Sequence, residues 1–211
     1  MARLKFAYAH KKWSVEDWSK VLWSDESKYN LVFSDGIWYI RRRKNERFNV
    51  RYQVPTIKHG GGHVMVWGCF SRNGVGPLVQ INGTMTAETY NAIITESMIS
   101  FSHENMGNDW IFQHDNDPKH TSKLVKETLQ RNNISVLQWP SQSPDINPIE
   151  HLLEELDRAV RFKKYKNKSV FFGALQETLA QLPMEKLNAL VDSMLRRCAA
   201  AIAANGYPTK Y

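Results

Sequence analysis

The order of apolar patterns along the chain predicts an α/β fold, a mixed sheet with helices on its faces. Three observations carry that expectation. Short alternating segments joined by turn residues come first, as in paired hairpin strands. Helical and strand-like segments then follow in turn. Finally, 42% of the 211 residues are hydrophobic and 11% are aromatic, enough to build a sizeable core.

The elements follow in order. Residues 1–19 read as a short amphipathic helix with a basic face, then a helix start at Ser14 with Asp17 three positions on. Val21 to Asp25 is a short apolar run ending in acids. "KYNLVF" (28–33) and "IWYIRRR" (37–43) alternate as strands around the turn Ser34-Asp35-Gly36. Residues 44–62 lose the pattern, are basic, contain Pro55 and end in "HGGGH", so a long loop is expected. "HVMVWGCF" (63–70) and "PLVQIN" (77–82) are strand-like across a Gly-rich turn. Residues 86–102 have helical spacing, 109–115 are strand-like, 122–133 are helical and 134–139 form another strand. A Pro-rich loop over 140–148 leads into a strongly amphipathic helix over 149–162. Two more helices are expected over 169–181 and 183–204.

Charge narrows the partners. Lys and Arg number 28 against 21 Asp and Glu, for a net +7 and a pI near 9.4. Such an excess suits a polyanion without identifying one. Cys69 and Cys198 make no disulfide framework, as in an intracellular, reduced protein. No apolar run reaches the ~18 residues of a membrane span. "MARLKFAYAHKKWS" lacks the apolar centre of a secretory signal.

Three acids fall where ligands collect in such sheets, at strand ends. Asp25 is expected to end the first strand, Asp115 to end the strand at 109–115, and Glu150 to open the following helix. Each has an ordinary structural reading. Asp25 beside Glu26 suits a solvated turn, and Asp115 lies in "FQHDNDPKHTS", rich in turn formers. Glu150 completes a capping box in "NPIE", with Asn147 as the N-cap and Pro148 in the first helical position. As a set, three carboxylates brought to one sheet edge would repel one another unless cations sat among them. Hard oxygen ligands suit magnesium or manganese, and two such ions support phosphodiester chemistry. An EF-hand loop starting at Asp115 fails, because His120 and Lys126 stand where Gly and Glu are needed. A zinc site on His59, His63 and Cys69 lacks a fourth ligand. His114 and His120 flank the acidic turn, where either suits a phosphate contact or a structural hydrogen bond.

"VLWSDES", "VPTIKHGGGHVMVWGCF", "FQHDNDPKHTS", "WPSQSPDINPIEH" and the closing "DSMLRRCAAAIAANGYPTKY" resemble, in order and spacing, the catalytic domain of Tc/mariner transposases, on the Tc side. The resemblance spans nearly the whole chain. It implies an RNase H-like mixed five-stranded sheet flanked by helices, with an acidic triad of the DDE type. By motif, Asp25, Asp115 and Glu150 are the catalytic, metal-holding triad, and the 34 residues between the last two match the Tc branch. Two magnesium or manganese ions, DNA cleavage and strand transfer, double-stranded DNA as partner, a homodimer on DNA and a nuclear location are implied with it, and no small-molecule substrate or membrane. One departure is Leu153 where the family commonly has Trp, and repacking is expected there. The family carries helix-turn-helix modules ahead of this domain, so the sequence is expected to represent the catalytic part. A catalytically silent or domesticated DNA-binding relic is the alternative, and an RNase H-type nuclease acting on hybrids is disfavoured by the motifs.

The expected organisation is a remnant linker helix over 1–19, the catalytic domain over 20–165 with the basic insertion 44–62, and C-terminal helices over 166–211 packed on the same domain. By resemblance, the insertion reaches toward a partner subunit or DNA. The densest positive stretches are 41–51 and 161–168, with Phe48 and Tyr165 interleaved as stacking platforms. Expected phosphate contacts are Arg41, Arg42, Arg43, Lys44, Arg47, Arg51, Lys58, Lys119, His120, Arg161, Lys163 and Lys164. Such contacts position DNA without reading its sequence.

Overall fold

A computed structural model describes residues 1–31, 62–161 and 163–211. The turn at 34–36, the strand expected over 37–43 and the loop from 44 to 61 lie outside the described residues. So do His59 and the expected DNA contacts from Arg41 to Lys58.

Five strands form one mixed sheet in the order β3-β2-β1-β4-β5. The central β1 (Val21–Asn30) pairs antiparallel with β2 (His63–Ser71), and β2 pairs antiparallel with β3 (Gly74–Ile81). On its other side β1 pairs parallel with β4 (Ile111–Gln113), which pairs parallel with β5 (Ser135–Val136). A glycine is required at position 76, where a Cβ would stand 2.3 Å from Cys69 Sγ.

Alternation along β1 sends its residues into two cores. Val21 and Trp23 join the cluster built with α6 (Pro148–Val160), α7 (Lys168–Ala180) and α8 (Met184–Ala203). Leu22 joins Trp67, Phe112 and Tyr90 in the cluster under α3 (Ala87–Ile93) and α5 (Lys123–Arg131). Burial of β1 on both faces explains why it reads as a continuous apolar run at its start. The same period of two places Asp25 toward α6 and Glu26 toward α3 and α5.

Three expectations change. Residues 21–30 form one strand, so Asp25 lies within β1, opposite Gly68 of β2. The strand end is real only on the other flank. Pairing with β4 stops at Trp23↔Gln113, leaving Asp25 just beyond it on an open edge. The strands expected over 109–115 and 134–139 shrink to three and two residues. The helix expected over 86–102 is broken by a π turn, Ile94–Met98, between α3 and α4 (Ile99–Asn105).

The helices otherwise follow their caps. Ser14 and Asp17 form the expected reciprocal box at α2 (Val15–Ser19), with Ser14 N donating to Asp17 Oδ2 at 2.7 Å. Ser122 caps α5 and Asn167 caps α7 through their side chains. Leu153 is buried in the α6 core, and Tyr29 Oη donates to its carbonyl at 3.0 Å, fastening α6 to β1. The N-terminal helix α1 (Ala2–Ala9) lies on α8. Cys69 and Cys198 are free thiols in separate cores. Among the described residues no helix is long and apolar enough to cross a membrane.

Candidate active site

A cavity of about 370 Å³ opens where β1 outruns β4, and Asp25, Asp115 and Glu150 all line it. Three separate pieces of local structure deliver them. β1 supplies Asp25 on its α6-facing side. The turn after β4 supplies Asp115, and the first turn of α6 supplies Glu150. The loop from Trp139 to Asn147 closes the wall, and Asn116 ties the two loops by donating to the Trp139 carbonyl at 2.7 Å.

Asp25 is held at both oxygens. Oδ1 accepts from Glu26 N at 2.8 Å, and Oδ2 accepts from Asn147 Nδ2 at 2.9 Å. The expected capping box at α6 does not form, because Asn147 makes no side-chain cap bond and gives its amide to Asp25 instead. Asn147 Oδ1 is buried without a hydrogen-bond partner among the described residues.

Burial, then the charge of Glu150, pushes the Asp25 carboxyl up to about 7. Glu150 is also raised, chiefly by burial.

Asp115 is the opposite case. Its Oδ1 accepts from His120 Nδ1 at 2.5 Å and from Asp117 N at 2.9 Å. The bond from His120 is the main reason its carboxyl is lowered to about 2. Its side chain is half exposed. Among the described residues Asp115 Oδ2 has no hydrogen-bond partner.

The donor set fits a hard divalent cation, being all oxygen and mostly anionic. Asp25, Asp115 and Glu150 share the cavity wall, and the charges of Glu150 and Asp115 both act on Asp25. Among the described residues no three His, Cys, Asp or Glu side chains cluster tightly enough to hold one ion.

Three expected DNA contacts are engaged elsewhere. His120 is buried, and its ring nitrogens meet Asp115 and Glu26 Oε1, the latter at 2.9 Å, which leaves no donor for a phosphate. Lys119 pairs with Asp117 at 2.7 Å and stands 3.6 Å from Glu26. Arg161 pairs with Asp157 one turn back on α6. Lys163 and Lys164 are exposed. Sequence reasoning missed Asn147 and Glu26 as parts of the site. The signal for Glu26 was present, since an acid directly after Asp25 on a strand must face the other core.

The DDE superfamily endonuclease model matches residues 20–171. The Tc1 transposase of Caenorhabditis elegans is 48% identical over 211 residues, covering 100% of this chain and 77% of that protein. Among solved structures, the Mos1 transposase catalytic domain with raltegravir and Mg superposes with a TM-score of 0.78 at 18% identity, covering 99% of this chain and 96% of that one. The Mos1 paired-end complex with the left transposon end gives a TM-score of 0.80 at 18% identity, covering 99% and 62%. These likenesses show the RNase H-like fold, in agreement with the five-stranded order.

Proposed function

Because this chain belongs to the DDE superfamily endonucleases, with transposases as its relatives, we propose that it cuts and joins DNA strands in transposition, using Asp25, Asp115 and Glu150 as its catalytic residues. The observation that carries this reading is the cavity that all three acids line. Burial raises both Asp25 and Glu150, and the charge of Glu150 adds to the rise at Asp25, a cost that a cation between them would relieve.

Asp25, Asp115 and Glu150 would hold two magnesium or manganese ions. Bound there, the ions would activate the attacking oxygen and stabilise the leaving one. The chain's own groups prepare that arrangement. Asn147 Nδ2 and Glu26 N fix the Asp25 carboxylate, and His120 and Asp117 N fix Asp115 through Oδ1. The nucleophile is water for cleavage and a DNA 3′-hydroxyl for joining. Double-stranded DNA is the substrate, reached as a homodimer in the nucleus, with Lys163 and Lys164 among the phosphate contacts.

The test is cleavage of labelled duplex DNA in magnesium, in manganese and in chelator. Asp25→Asn and Asp115→Asn are expected to lose cleavage at least 100-fold, a bound set by about 2.7 kcal/mol of lost transition-state stabilisation. Either variant nicking DNA at the wild-type rate would defeat the assignment. A wild-type chain that binds DNA yet never cuts it in either metal would favour the silent, DNA-binding relic.

A further inference from the structure

Behind Asp115, on the α3 and α5 side of the sheet, lies a polar group that the core does not need. Glu26 follows Asp25 on β1, so alternation turns it away from the cavity. Its side chain is only 10% exposed, a costly place for a carboxylate without partners. Its partners are His120 Nε2 at 2.9 Å and Lys119 Nζ at 3.6 Å. The other nitrogen of the same imidazole reaches Asp115 Oδ1 at 2.5 Å.

The ring itself is locked. Its centroid lies 3.9 Å from that of Tyr90, and the His114 ring stacks on it at 5.6 Å. Tyr90 Oη is bonded in turn to His114 Nδ1 at 3.1 Å. A buried, clamped imidazole therefore spans from one strand's acid to a half-exposed acid on a turn.

We propose that Glu26 and His120 are positioning residues for Asp115. Glu26 fixes the imidazole from behind, and the imidazole fixes Asp115 by its Oδ1. That leaves Oδ2, which has no hydrogen-bond partner among the described residues, as the oxygen offered to a cation. An aspartate on a turn would otherwise sample several rotamers, only some of which face the cavity. Groups that hold a metal-ligating side chain from behind commonly affect metal affinity about 10- to 100-fold. The inference rests on the reading of Asp115 as a metal-holding residue, and the experiment separates the two.

Manganese binding to the whole chain, without DNA, would be followed by the electron paramagnetic resonance of free Mn²⁺. The informative pair is His120→Asn and His120→Gln. An asparagine amide sits near the place of Nδ1 and can still donate to Asp115, whereas a glutamine amide sits near Nε2 and reaches toward Glu26. The expected result is near wild-type Mn²⁺ affinity for His120→Asn and about 10-fold weaker affinity for His120→Gln, at matched thermal stability. Glu26→Gln is expected to weaken Mn²⁺ less than His120→Gln does. Equal affinities for wild type, His120→Asn and His120→Gln, alongside weakened binding in Asp115→Asn, would overturn the positioning role and leave the metal reading standing. Unweakened binding in Asp115→Asn would overturn both.

Discussion

Asp25 has a carboxyl held at about 7 in the folded state by burial and by Glu150, against about 3.9 in an unfolded chain. A raised carboxyl binds its proton more tightly when folded. Its contribution to stability is therefore full below the unfolded value and is lost as pH rises through 7. The metal-free protein is expected to lose stability between pH 4 and 8, and Asp25→Asn to lose less. At pH 8 the variant should be the more stable of the two by on the order of 1–3 kcal/mol, read by chemical unfolding in chelator. A variant no more stable than wild type at pH 8 would show that the buried Asp25 carboxylate carries no strain. The acids themselves were legible in the sequence from the motifs that hold them, although Asp25 lies within β1 rather than at its end. The partners were not. "NPIE" satisfies every local rule for a capping box, and only a contact across 122 positions diverts Asn147 to Asp25. His120 looked like a phosphate contact because nothing local shows that Glu26 waits behind it.

At the scale of elements, the loop that delivers Glu150 is anchored from both ends of the described chain. Arg3 of α1 grips Asp145 with two bonds of 2.6 Å, and Thr209 N and Oγ1 donate to Asp145 Oδ2 at 2.8 and 2.9 Å. Arg197 of α8 donates to the Asp145 carbonyl at 2.6 Å. Burial alone would raise the Asp145 carboxyl, but Arg3 and Thr209 outweigh it and hold it at about 2. A lowered carboxyl contributes stability above its unfolded value, and the contribution is lost as pH falls through 2. Arg3→Met is expected to cost about 2–3 kcal/mol at pH 7, the worth of charge-assisted bonds to a nearly buried acid. The deficit should shrink between pH 4 and 2, as acid unfolding curves would show. A constant deficit across that range would mean that Arg3 acts by packing alone. Sequence patterns place each of these elements but not their lengths. Strand 109–115 reads as seven residues, whereas β4 pairs over only three because β1 offers it just Val21 to Trp23. Pairing is decided by the neighbour, which a one-strand pattern does not contain.

At the scale of the molecule, a net charge of +7 has to be set against an acidic cavity. Three acids repel the phosphate they are proposed to cut, so basic groups outside the cavity must hold the backbone in place. The described residues reduce the candidates. Lys119 and Arg161 already pair with carboxylates, and His120 is buried. Lys163 and Lys164 stay exposed just beyond the end of α6, the helix that carries Glu150 at its start. Each phosphate neutralised lowers the slope of log affinity against log salt by about 0.9. Replacing Lys163 and Lys164 together with Gln is therefore expected to make that slope shallower by about 1.8 if both meet phosphates. Binding should weaken about equally on every duplex, because phosphate contacts carry no sequence information. Fluorescence anisotropy from 50 to 200 mM salt, on two unrelated duplexes, measures both effects. An unchanged slope would place the phosphate grip on other basic groups. A loss confined to one duplex would mean that these lysines read bases.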